Sequence, residues 1–405
     1  MNSGIFHSSF TIQHLKTMPA RTLMIQGTAS HVGKSTLVAA LCRLFVRRGL
    51  RVAPFKAQNM SNNSFVTSDG KEIGRAQAVQ AAACRLPPRS DFNPVLIKPS
   101  GEQTAQLVVG GCVAGSLSTR DFGRVRRDHF KAVCEAYSQL SSAFDLVILE
   151  GAGSPAEINL REHDIVNMRM AQEAKAPVLM VGDIERGGVF AALIGTMALL
   201  LPDEQRHVKG FLINKFRGDR LILDSGVDLL EAKMAVPCLG VLPHWSGLRV
   251  PQEDSVGWDA WQEVRYQENE TLTIGIVNVP AISNFTDFDP LSREPDVRLV
   301  KIREETTQTL DALIFPGTKN TAEALQFIKQ QGLDTVARRV LAAGGTVIGI
   351  CGGYQVLGKK ISDPHRVEFN AREVEGMGLL DVATRFARNK VTTQVIGIHR
   401  ETGSP

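Results

Sequence analysis

Short apolar runs alternate with segments of helical periodicity along most of the chain. The first run, residues 22–26, ends in a glycine-containing loop, after which Leu, Val and Phe recur at helical spacing up to Gly49. Further strand-like runs cover residues 146–149, 177–182 and 210–213, and the stretches between them are long enough for crossover helices. This alternation predicts a parallel sheet covered by helices on both faces.

A second series of strand-like runs begins at residue 272. It covers residues 272–277, 297–302, 312–315 and 346–350. The stretch before it is acidic, contains Trp and has no periodicity, which suits a linker. We therefore predict an α/β protein in four parts: a disordered extension at residues 1–20, a first α/β domain at 21–250, a linker at 251–270, and a second α/β domain at 271–405.

Composition and charge exclude several classes of protein. The chain has 405 residues, which at ~150 residues per domain indicates two or three domains. A net charge of +4 gives no argument for a nucleic-acid partner, and no run reaches the ~18 apolar residues that a membrane span requires. Six cysteines stand far apart without a CxxC pair, so neither a zinc site nor a disulfide framework is indicated, and the cytoplasm fits best. Met18 lies just before the first run, so residues 1–17 are expected to contribute nothing to the fold.

A glycine-rich loop, residues 27–36, follows the first predicted strand and opens the first predicted helix. Its spacing, counted from Gly27, is one residue longer than the GxxxxGK[ST] pattern of a P-loop. In this context backbone N–H groups and a helix N-terminus bind phosphates, so the loop predicts a site for nucleotide phosphates. Lys34 would reach the β- and γ-phosphates, and Ser35 would ligate Mg²⁺.

Acidic residues at strand ends are the next candidates, because Mg²⁺ prefers hard oxygen ligands. Glu150 follows the run 146–149 and precedes a Gly-Ala-Gly turn that would let a nucleotide approach the backbone. Asp183, at the end of a neighbouring run, is a second candidate metal ligand, or else a helix cap or a solvated turn residue. Asn214 follows a further run and either reads a nucleotide base edge or belongs to an ordinary polar turn.

Cys351 directly follows the run 346–350, with glycines on both sides and a helix-like segment after it. This is the arrangement of a nucleophile elbow, a sharp turn that exposes the side chain above a sheet. The backbone N–H of Gly352 and the turn at Gly317, after another run, are predicted to stabilise an oxyanion. The other five cysteines are interpreted as small buried hydrophobic residues.

Together these segments resemble the glutamine-dependent cobyric acid synthase family of the cobalamin pathway. Many ATPases share a P-loop, but the full set of segments, in this order from about Gln26 to Gln394, is specific. The matching segments are residues 54–61, 72–77, 93–99, 150–160, 164–168, 214–219 and 283–288, with the motifs around Pro316 and Cys351.

The resemblance implies an N-terminal domain similar to dethiobiotin synthetase and a C-terminal class I glutamine amidotransferase domain. It also implies ATP-dependent amidation of the b, d, e and g carboxylates of adenosylcobyrinic acid a,c-diamide through acyl phosphates, with nitrogen from glutamine or from free ammonia. A P-loop with Mg²⁺ can install phosphate on a carboxylate. A Cys thiolate can release ammonia from glutamine through a γ-glutamyl thioester. The two predicted half-sites therefore have a reason to share one chain.

By position, the resemblance gives roles to further residues. The residues that would bind ATP are Gly33, Lys34, Ser35 and Thr36. Glu150 would join Ser35 at Mg²⁺. Asp164 would position the acyl acceptor or ammonia, with a helix N-cap as the alternative. The candidates for contacts to the corrinoid or the phosphates are Lys56, Gln58 and Asn59, and the further candidates for metal or substrate contacts are Asp69 and Glu72.

The resemblance fades after Gln394, before the family's Gly-Tyr-Glu-Ile-His and Tyr-Leu-His-Gly segments. A cysteine nucleophile of this class requires a histidine as base. His365 lies in a polar loop close after Cys351, and His399 is the sole later histidine. We therefore expect an amidotransferase domain without its C-terminal part, in which either His399 replaces the base or the synthetase uses free ammonia.

Three alternative functions remain open at this point. A related cobyrinic acid a,c-diamide synthase would share both half-sites, although the runs 56–61, 72–77 and 214–219 favour cobyric acid synthase. A partition-type P-loop ATPase that works as an interaction switch would have no use for Cys351 in its glycine frame. The third alternative is an inactive product of a truncated gene.

Overall fold

The structure is a computed structural model that describes residues 19–99, 104–118, 122–245, 250–251, 272–369, 372–388, 391 and 393–398 of the 405-residue chain. Most of the predicted extension, including Met18, lies outside these residues, as do most of the predicted linker and His399. Within the described ranges, no helix combines the length and the apolar character needed to cross a bilayer.

The first domain contains twelve described strands and seven described helices. Its strands are β1 (Arg21–Gly27), β2 (Val52–Phe55), β3 (Gln58–Met60), β4 (Ser64–Val66), β5 (Glu72–Gly74), β6 (Val95–Pro99), β7 (Thr104–Val109), β8 (Cys112–Ser118), β9 (Leu146–Glu150), β10 (Val178–Asp183), β11 (Val208–Phe216) and β12 (Cys238–Pro243). Its helices are α1 (Lys34–Arg47), α2 (Arg75–Ala83), α3 (Phe122–Ala143), α4 (Met168–Glu173), α5 (Val189–Leu199), α6 (Pro202–Gln205) and α7 (Arg220–Met234).

A six-stranded parallel sheet forms the centre of the first domain, in the order β12–β11–β10–β1–β9–β2. All five residues of β9 are buried, as expected for a central strand with helices on both faces. Met24 and Ile25 of β1 alternate between two separate hydrophobic clusters, one on each face of the sheet. The runs predicted from the sequence correspond to β1, β9, β10 and β11, and the α/β fold is confirmed.

A smaller sheet, in the order β3–β6–β7–β8, lies beside the main one. Its β6–β7 and β7–β8 pairs are antiparallel, and β4 pairs with β5 as a separate short hairpin. These strands follow β2 directly, so they place the polar residues of the chain from 58 to 74 beside the carboxyl end of the main sheet.

The second domain is built on a four-stranded parallel sheet. Its strands are β13 (Leu272–Val277), β14 (Val297–Ile302), β15 (Ala312–Phe315) and β16 (Thr346–Gly349), in the order β14–β13–β15–β16, followed by the short strands β17 (Lys360–Ser362), β18 (Glu373–Glu375) and β19 (Ala383–Arg385). Its helices are α8 (Thr321–Gln330), α9 (Leu333–Ala342) and α10 (Gly352–Leu357). The four predicted runs of the second series correspond to β13, β14, β15 and β16.

Candidate functional site

The P-loop joins β1 to α1 at the carboxyl edge of the main sheet. Gly33 has a φ of 99°, a backbone conformation that favours glycine, and a Cβ there would lie 2.3 Å from Nδ2 of Asn214. Helix α1 begins at Lys34, and its first N–H groups face the loop as in other phosphate-binding sites. The Lys34 ammonium donates to the carbonyl oxygens of Ala29 at 2.8 Å and Gly153 at 2.9 Å, so it lies across the loop.

Asn214 forms a hydrogen bond with the backbone of the P-loop. Its side-chain Nδ2 donates to the carbonyl oxygen of Val32 at 2.8 Å.

Asp183, the second candidate metal ligand, has partners at both carboxylate oxygens. Its Oδ2 pairs with Lys215 at 2.7 Å, and its Oδ1 accepts from the N–H of Glu185 at 2.9 Å. In this arrangement Asp183 organises the turn that follows β10.

Glu150 ends β9 and is buried at the base of the P-loop. Its Oε1 accepts from the Ser35 hydroxyl at 2.7 Å and from the Lys56 ammonium at 2.8 Å. Its Oε2 accepts from Nε2 of Gln80 at 2.5 Å. Burial alone would raise the pKa of Glu150, but the Lys56 ammonium and the bonds from Ser35 and Gln80 outweigh it, so the pKa lies below its ordinary value. Glu150 is therefore a carboxylate at neutral pH.

The donor set around Ser35 and Glu150 fits Mg²⁺. It consists of one hydroxyl and one ionised carboxylate, 2.7 Å apart, beside a phosphate-binding loop. Mg²⁺ is usually held by one or two carboxylates together with substrate phosphates and water, and a dedicated cage of protein ligands is not needed. The described residues contain no group of three His, Cys, Asp or Glu side chains that could hold a metal ion.

A cavity of about 1070 Å³ opens over the P-loop, large enough for a nucleotide and part of a second substrate. Among the predicted site residues, it is lined by Gly33, Lys34, Ser35, Thr36, Lys56, Gln58, Asn59, Glu150 and Asp164. Asp69 and Glu72 do not line it. Asp69 lies in the β4–β5 turn, where it accepts from the Thr67 hydroxyl, whereas Glu72 is buried in an ion pair with Lys98.

Asp164 shapes the loop after β9. Its Oδ1 accepts from the N–H groups of Val166 at 3.0 Å and Asn167 at 2.9 Å. The Asn167 amide in turn pairs with both backbone groups of Ala152, at 3.1 Å and 2.8 Å. Asn167 was not identified from the sequence. The sequence gives little indication of its role, because Asn167 bonds to the backbone of Ala152, which has no polar side chain.

Cys351 lies between β16 and α10 in a strained turn. Its φ of 53° and ψ of −113° fall outside the regions that L-residues populate, as expected for a nucleophile elbow. Cys351 is exposed, and its thiol makes no hydrogen bond within the described part of the chain. The two glycines that follow are packed: a Cβ at Gly352 would lie 2.6 Å from the Thr318 side chain, and one at Gly353 would lie 1.9 Å from the carbonyl oxygen of Phe315.

Gly317 adjoins the elbow, because a Cβ at Gly317 would lie 3.7 Å from Cβ of Cys351. The carbonyl oxygen of Gly317 accepts from the N–H of Ser283 at 2.8 Å. His365 is exposed in the loop after β17. The other candidate base, His399, lies outside the described residues.

One segment of the second domain, residues 282–286, contacts the first domain. The N–H of Ser64 donates to Oδ1 of Asn284 at 3.1 Å, and the Thr286 hydroxyl donates to Oδ1 of Asn63 at 3.3 Å. Ile282 and Phe285 of the same segment line the cavity over the P-loop. Residues 282–286 therefore contact both the synthetase cavity and the turn beside Cys351. The sequence predicted both sites but gave no signal for this contact.

Comparison with known proteins supports both halves. Residues 23–255 match the CobQ/CobB/MinD/ParA nucleotide binding domain, and residues 273–404 match the CobB/CobQ-like glutamine amidotransferase domain. The chain is 46% identical over 383 residues to the cobyric acid synthase of Syntrophobacter fumaroxidans, covering 94% of this chain and 74% of that protein. It is 51% identical over 380 residues to the cobyric acid synthase of Sorangium cellulosum, covering 93% of this chain and 73% of that protein.

Similarity to solved structures is weaker. The signal recognition particle receptor FtsY from Elizabethkingia anophelis, in complex with GDP, matches at 20% identity over 56% of this chain and 58% of that chain. Its TM-score of 0.31 is too low to support an argument about fold or function. The evidence for a family therefore comes from the sequence relatives, of whose length this chain spans about three-quarters.

Proposed function

Because the chain belongs to the cobyric acid synthase family of ATP-dependent amidotransferases in cobalamin biosynthesis, we propose that it amidates the b, d, e and g carboxylates of adenosylcobyrinic acid a,c-diamide. Residues 21–250 carry the synthetase site, and residues 271–405 carry the glutaminase site. Nitrogen comes from glutamine, or from free ammonia, and the reaction takes place in the cytoplasm. The main support is the Ser35–Glu150 pair, at 2.7 Å, on the wall of one cavity that also holds Lys34 and Gln58.

The first step activates a carboxylate, which cannot form an amide at neutral pH without a better leaving group. A carboxylate oxygen of the corrinoid attacks the γ-phosphorus of ATP, the bond to the bridging oxygen breaks, and ADP leaves with an acyl phosphate as the other product. Lys34 and the first N–H groups of α1 stabilise the phosphate charge. Ser35 and Glu150 would hold Mg²⁺, which when bound neutralises further phosphate charge.

The second step replaces the phosphate by nitrogen. Ammonia attacks the acyl carbon, inorganic phosphate leaves, and the nitrogen loses a proton to give the amide. Asp164 lines the cavity, and because its Oδ1 is held by two backbone N–H groups, Oδ2 is the atom that orients the acceptor or ammonia. We propose that the corrinoid or the phosphates also contact Lys56, Gln58 and Asn59, which line the same cavity.

The glutaminase half acts through Cys351. Its thiol loses a proton to a base, and the thiolate attacks the side-chain amide carbon of glutamine. The amide nitrogen takes up that proton and leaves as ammonia, and water then hydrolyses the γ-glutamyl thioester to glutamate and the free thiol. The N–H of Gly352 and the backbone at Gly317 stabilise the oxyanion. The strained elbow supports this role, because a residue is held in such a conformation only where the surrounding structure enforces it.

The proposal is tested by amide formation on adenosylcobyrinic acid a,c-diamide with ATP and Mg²⁺, with glutamine and ammonium compared in parallel. Turnover with ammonium alone would support the synthetase site and contradict the glutaminase role of Cys351. Turnover with glutamine, at low ammonium, would support both sites. No product from folded protein with either source would contradict the proposed function.

A second corrinoid substrate distinguishes the proposed activity from that of a cobyrinic acid a,c-diamide synthase. Cobyrinic acid, which carries free a and c carboxylates, is offered under the same conditions. Amidation of cobyrinic acid in preference to its a,c-diamide would identify an a,c-diamide synthase activity and overturn the proposed substrate. ATP hydrolysis that is independent of any corrinoid would instead favour a nucleotide switch.

A further inference from the structure

The two oxygens of the Glu150 carboxylate are held by different partners. Oε1 accepts from Ser35 at 2.7 Å and from Lys56 at 2.8 Å. Oε2 accepts from Nε2 of Gln80 at 2.5 Å, and the same nitrogen lies 3.4 Å from the carbonyl oxygen of Ser35. The Gln80 amide therefore touches both residues proposed to hold Mg²⁺, although it does not line the cavity itself.

We propose that Gln80 is a positioning residue that fixes the orientation of the Glu150 carboxylate and thereby sets the affinity of the synthetase site for Mg²⁺. The inference rests on the proposed role of Ser35 and Glu150 as metal ligands. With Oε2 held by Gln80, the carboxylate cannot rotate about its terminal bond, and Oε1 stays beside the Ser35 hydroxyl. Groups that orient metal ligands typically change metal affinity by about 10- to 100-fold when they are removed.

Gln80 carries a cost in stability that an apolar side chain would avoid. It is fully buried, and its own Oε1 has no hydrogen-bond partner in the described structure. An unsatisfied buried carbonyl is destabilising, and an apolar side chain of similar length would avoid that cost. What an apolar side chain lacks is the N–H that reaches Glu150.

Gln77, one turn earlier on α2, offers a matched comparison. It is equally buried and is also an amide with one unpartnered atom, Nε2, within the described structure. Its Oε1 accepts from Asn59 at 2.9 Å, and its side chain has no bond to Glu150. Both side chains lie on a short alanine-rich helix with the sequence RAQAVQAAA. Substitution of either residue disturbs the same helix, but only Gln80 contacts the carboxylate.

The test measures metal binding directly, by electron paramagnetic resonance of Mn²⁺ titrated into the full chain in the presence of ADP. Gln80→Met should raise the Mn²⁺ dissociation constant about 10- to 100-fold and leave metal-free ADP affinity unchanged. Gln77→Met should keep the wild-type Mn²⁺ constant. If Gln80→Met does not fold, Gln80→Asn keeps an amide that is one methylene too short to reach Glu150 and should give the same loss.

Wild-type Mn²⁺ affinity in a folded Gln80 variant would overturn the proposal, as would equal losses in the Gln80 and Gln77 variants. Absence of ADP-dependent Mn²⁺ binding by the wild-type protein would overturn it together with the metal-ligand assignment. In ammonium-driven amidation, the Gln80 variant should need correspondingly more Mg²⁺ for half-maximal rate, with kcat largely recovered at saturation. If the wild-type protein forms no amide, the proposed function fails, but the metal titration still decides the role of Gln80.

Discussion

The N–H of Ser64 in the first domain donates to the side chain of Asn284 in the second, at 3.1 Å. The residue before Asn284 contacts the other site, because the N–H of Ser283 donates to Gly317, beside Cys351. Phe285, the residue after it, lines the cavity over the P-loop. Three consecutive residues thus face the nucleophile turn, the neighbouring domain and the synthetase cavity.

We predict that Asn284→Ala lowers glutamine-dependent amidation about 5-fold more than ammonium-dependent amidation, because loss of one interdomain hydrogen bond weakens the contact between the sites by about 1 kcal/mol. The ratio of the two rates is the measurement. Asn284→Asp keeps an acceptor oxygen for the Ser64 N–H and should stay close to the wild-type ratio. Equal losses with both nitrogen sources would contradict a role for this contact in linking the sites.

Lys34→Ala should abolish ATP-dependent amidation with either nitrogen source. The ammonium lies across the P-loop, 2.8 Å from the Ala29 carbonyl, and its removal takes away a cation beside the transferred phosphate. Loss of one such preorganised group lowers kcat by roughly 10² to 10³. Initial rates of ADP release and amide formation report the effect, and Lys209→Ala, on an exposed position of β11, serves as the control. Unchanged amidation in the Lys34 variant would refute the P-loop assignment.

Local sequence patterns predicted much of the fold and part of the site. The P-loop, the strand that ends at Glu150 and the glycine frame of Cys351 are each contained in about ten residues, so periodicity and spacing reveal them. The side sheet β3–β6–β7–β8 was missed for two reasons. The β3–β6 pair joins residues that lie far apart in the sequence, Gln58 and Val95, and no local pattern marks it. The turn Gly110-Gly111 between β7 and β8 is a local hairpin signal that the sequence analysis did not use.

Contacts between distant residues explain the remaining differences at the site. Glu72 has the residue type of a metal ligand, but its partner Lys98 lies 26 positions later and occupies the carboxylate in a buried pair. Gln80 shows the opposite case, because its partner Glu150 lies 70 positions away. Gln77 and Gln80 lie one turn apart on the same face of an alanine-rich helix. This spacing was the sequence signal that both amides have polar partners inside the domain.

Asp363 should make the second domain sensitive to acid. It is fully buried and accepts from the N–H groups of Val367 at 2.9 Å and Glu368 at 2.7 Å. Burial alone would raise the pKa of Asp363, but these backbone bonds outweigh it, so the pKa lies below its ordinary value.

A carboxyl group whose pKa is lower in the folded state stabilises the fold above its unfolded pKa, and the contribution is lost as pH falls through the folded value. We predict that Asp363→Asn lowers the free energy of unfolding at neutral pH. The free energy of unfolding of this variant should also fall less between neutral and acidic pH than that of the wild-type protein. Urea unfolding in neutral and in acidic buffer measures both effects. A difference between the two proteins that does not change with pH would contradict this role for the Asp363 charge.

The backbone strain at Cys351 should lower the stability of the second domain, and glycine, which has no Cβ, should relieve it. Both Cys351→Ala and Cys351→Gly should remove glutamine-dependent turnover and retain ammonium-dependent turnover. The glycine variant should nevertheless be more stable than the alanine variant by about 1 kcal/mol, because a φ of 53° with a ψ of −113° strains any residue with a Cβ. Chemical denaturation compares the two variants, and a more stable alanine variant would show that the turn is unstrained.

Gly353 should tolerate no side chain. A Cβ at this position would lie 1.9 Å from the carbonyl oxygen of Phe315 and 2.8 Å from that of Pro316, and both are backbone atoms that cannot turn aside. Gly353→Ala should therefore either displace α10 from β15 or unfold the second domain, at a cost of about 4 kcal/mol or more. Denaturant unfolding, monitored by far-ultraviolet circular dichroism, measures the loss in the free energy of unfolding.

Gly344→Ala provides the control for Gly353→Ala. Gly344 has a φ of 86°, and a Cβ there would meet no atom within 4 Å, so its cost is confined to backbone strain of about 1 to 2 kcal/mol. Gly353 lies in α10 and has no positive φ, so its variant carries the steric clash alone. At about 4 kcal/mol or more, that clash exceeds the backbone strain at Gly344, and the Gly353 variant should be the less stable of the two. Equal stability of the two alanine variants would mean that the turn after Cys351 can shift away from β15, and would remove the structural basis for a rigid nucleophile elbow.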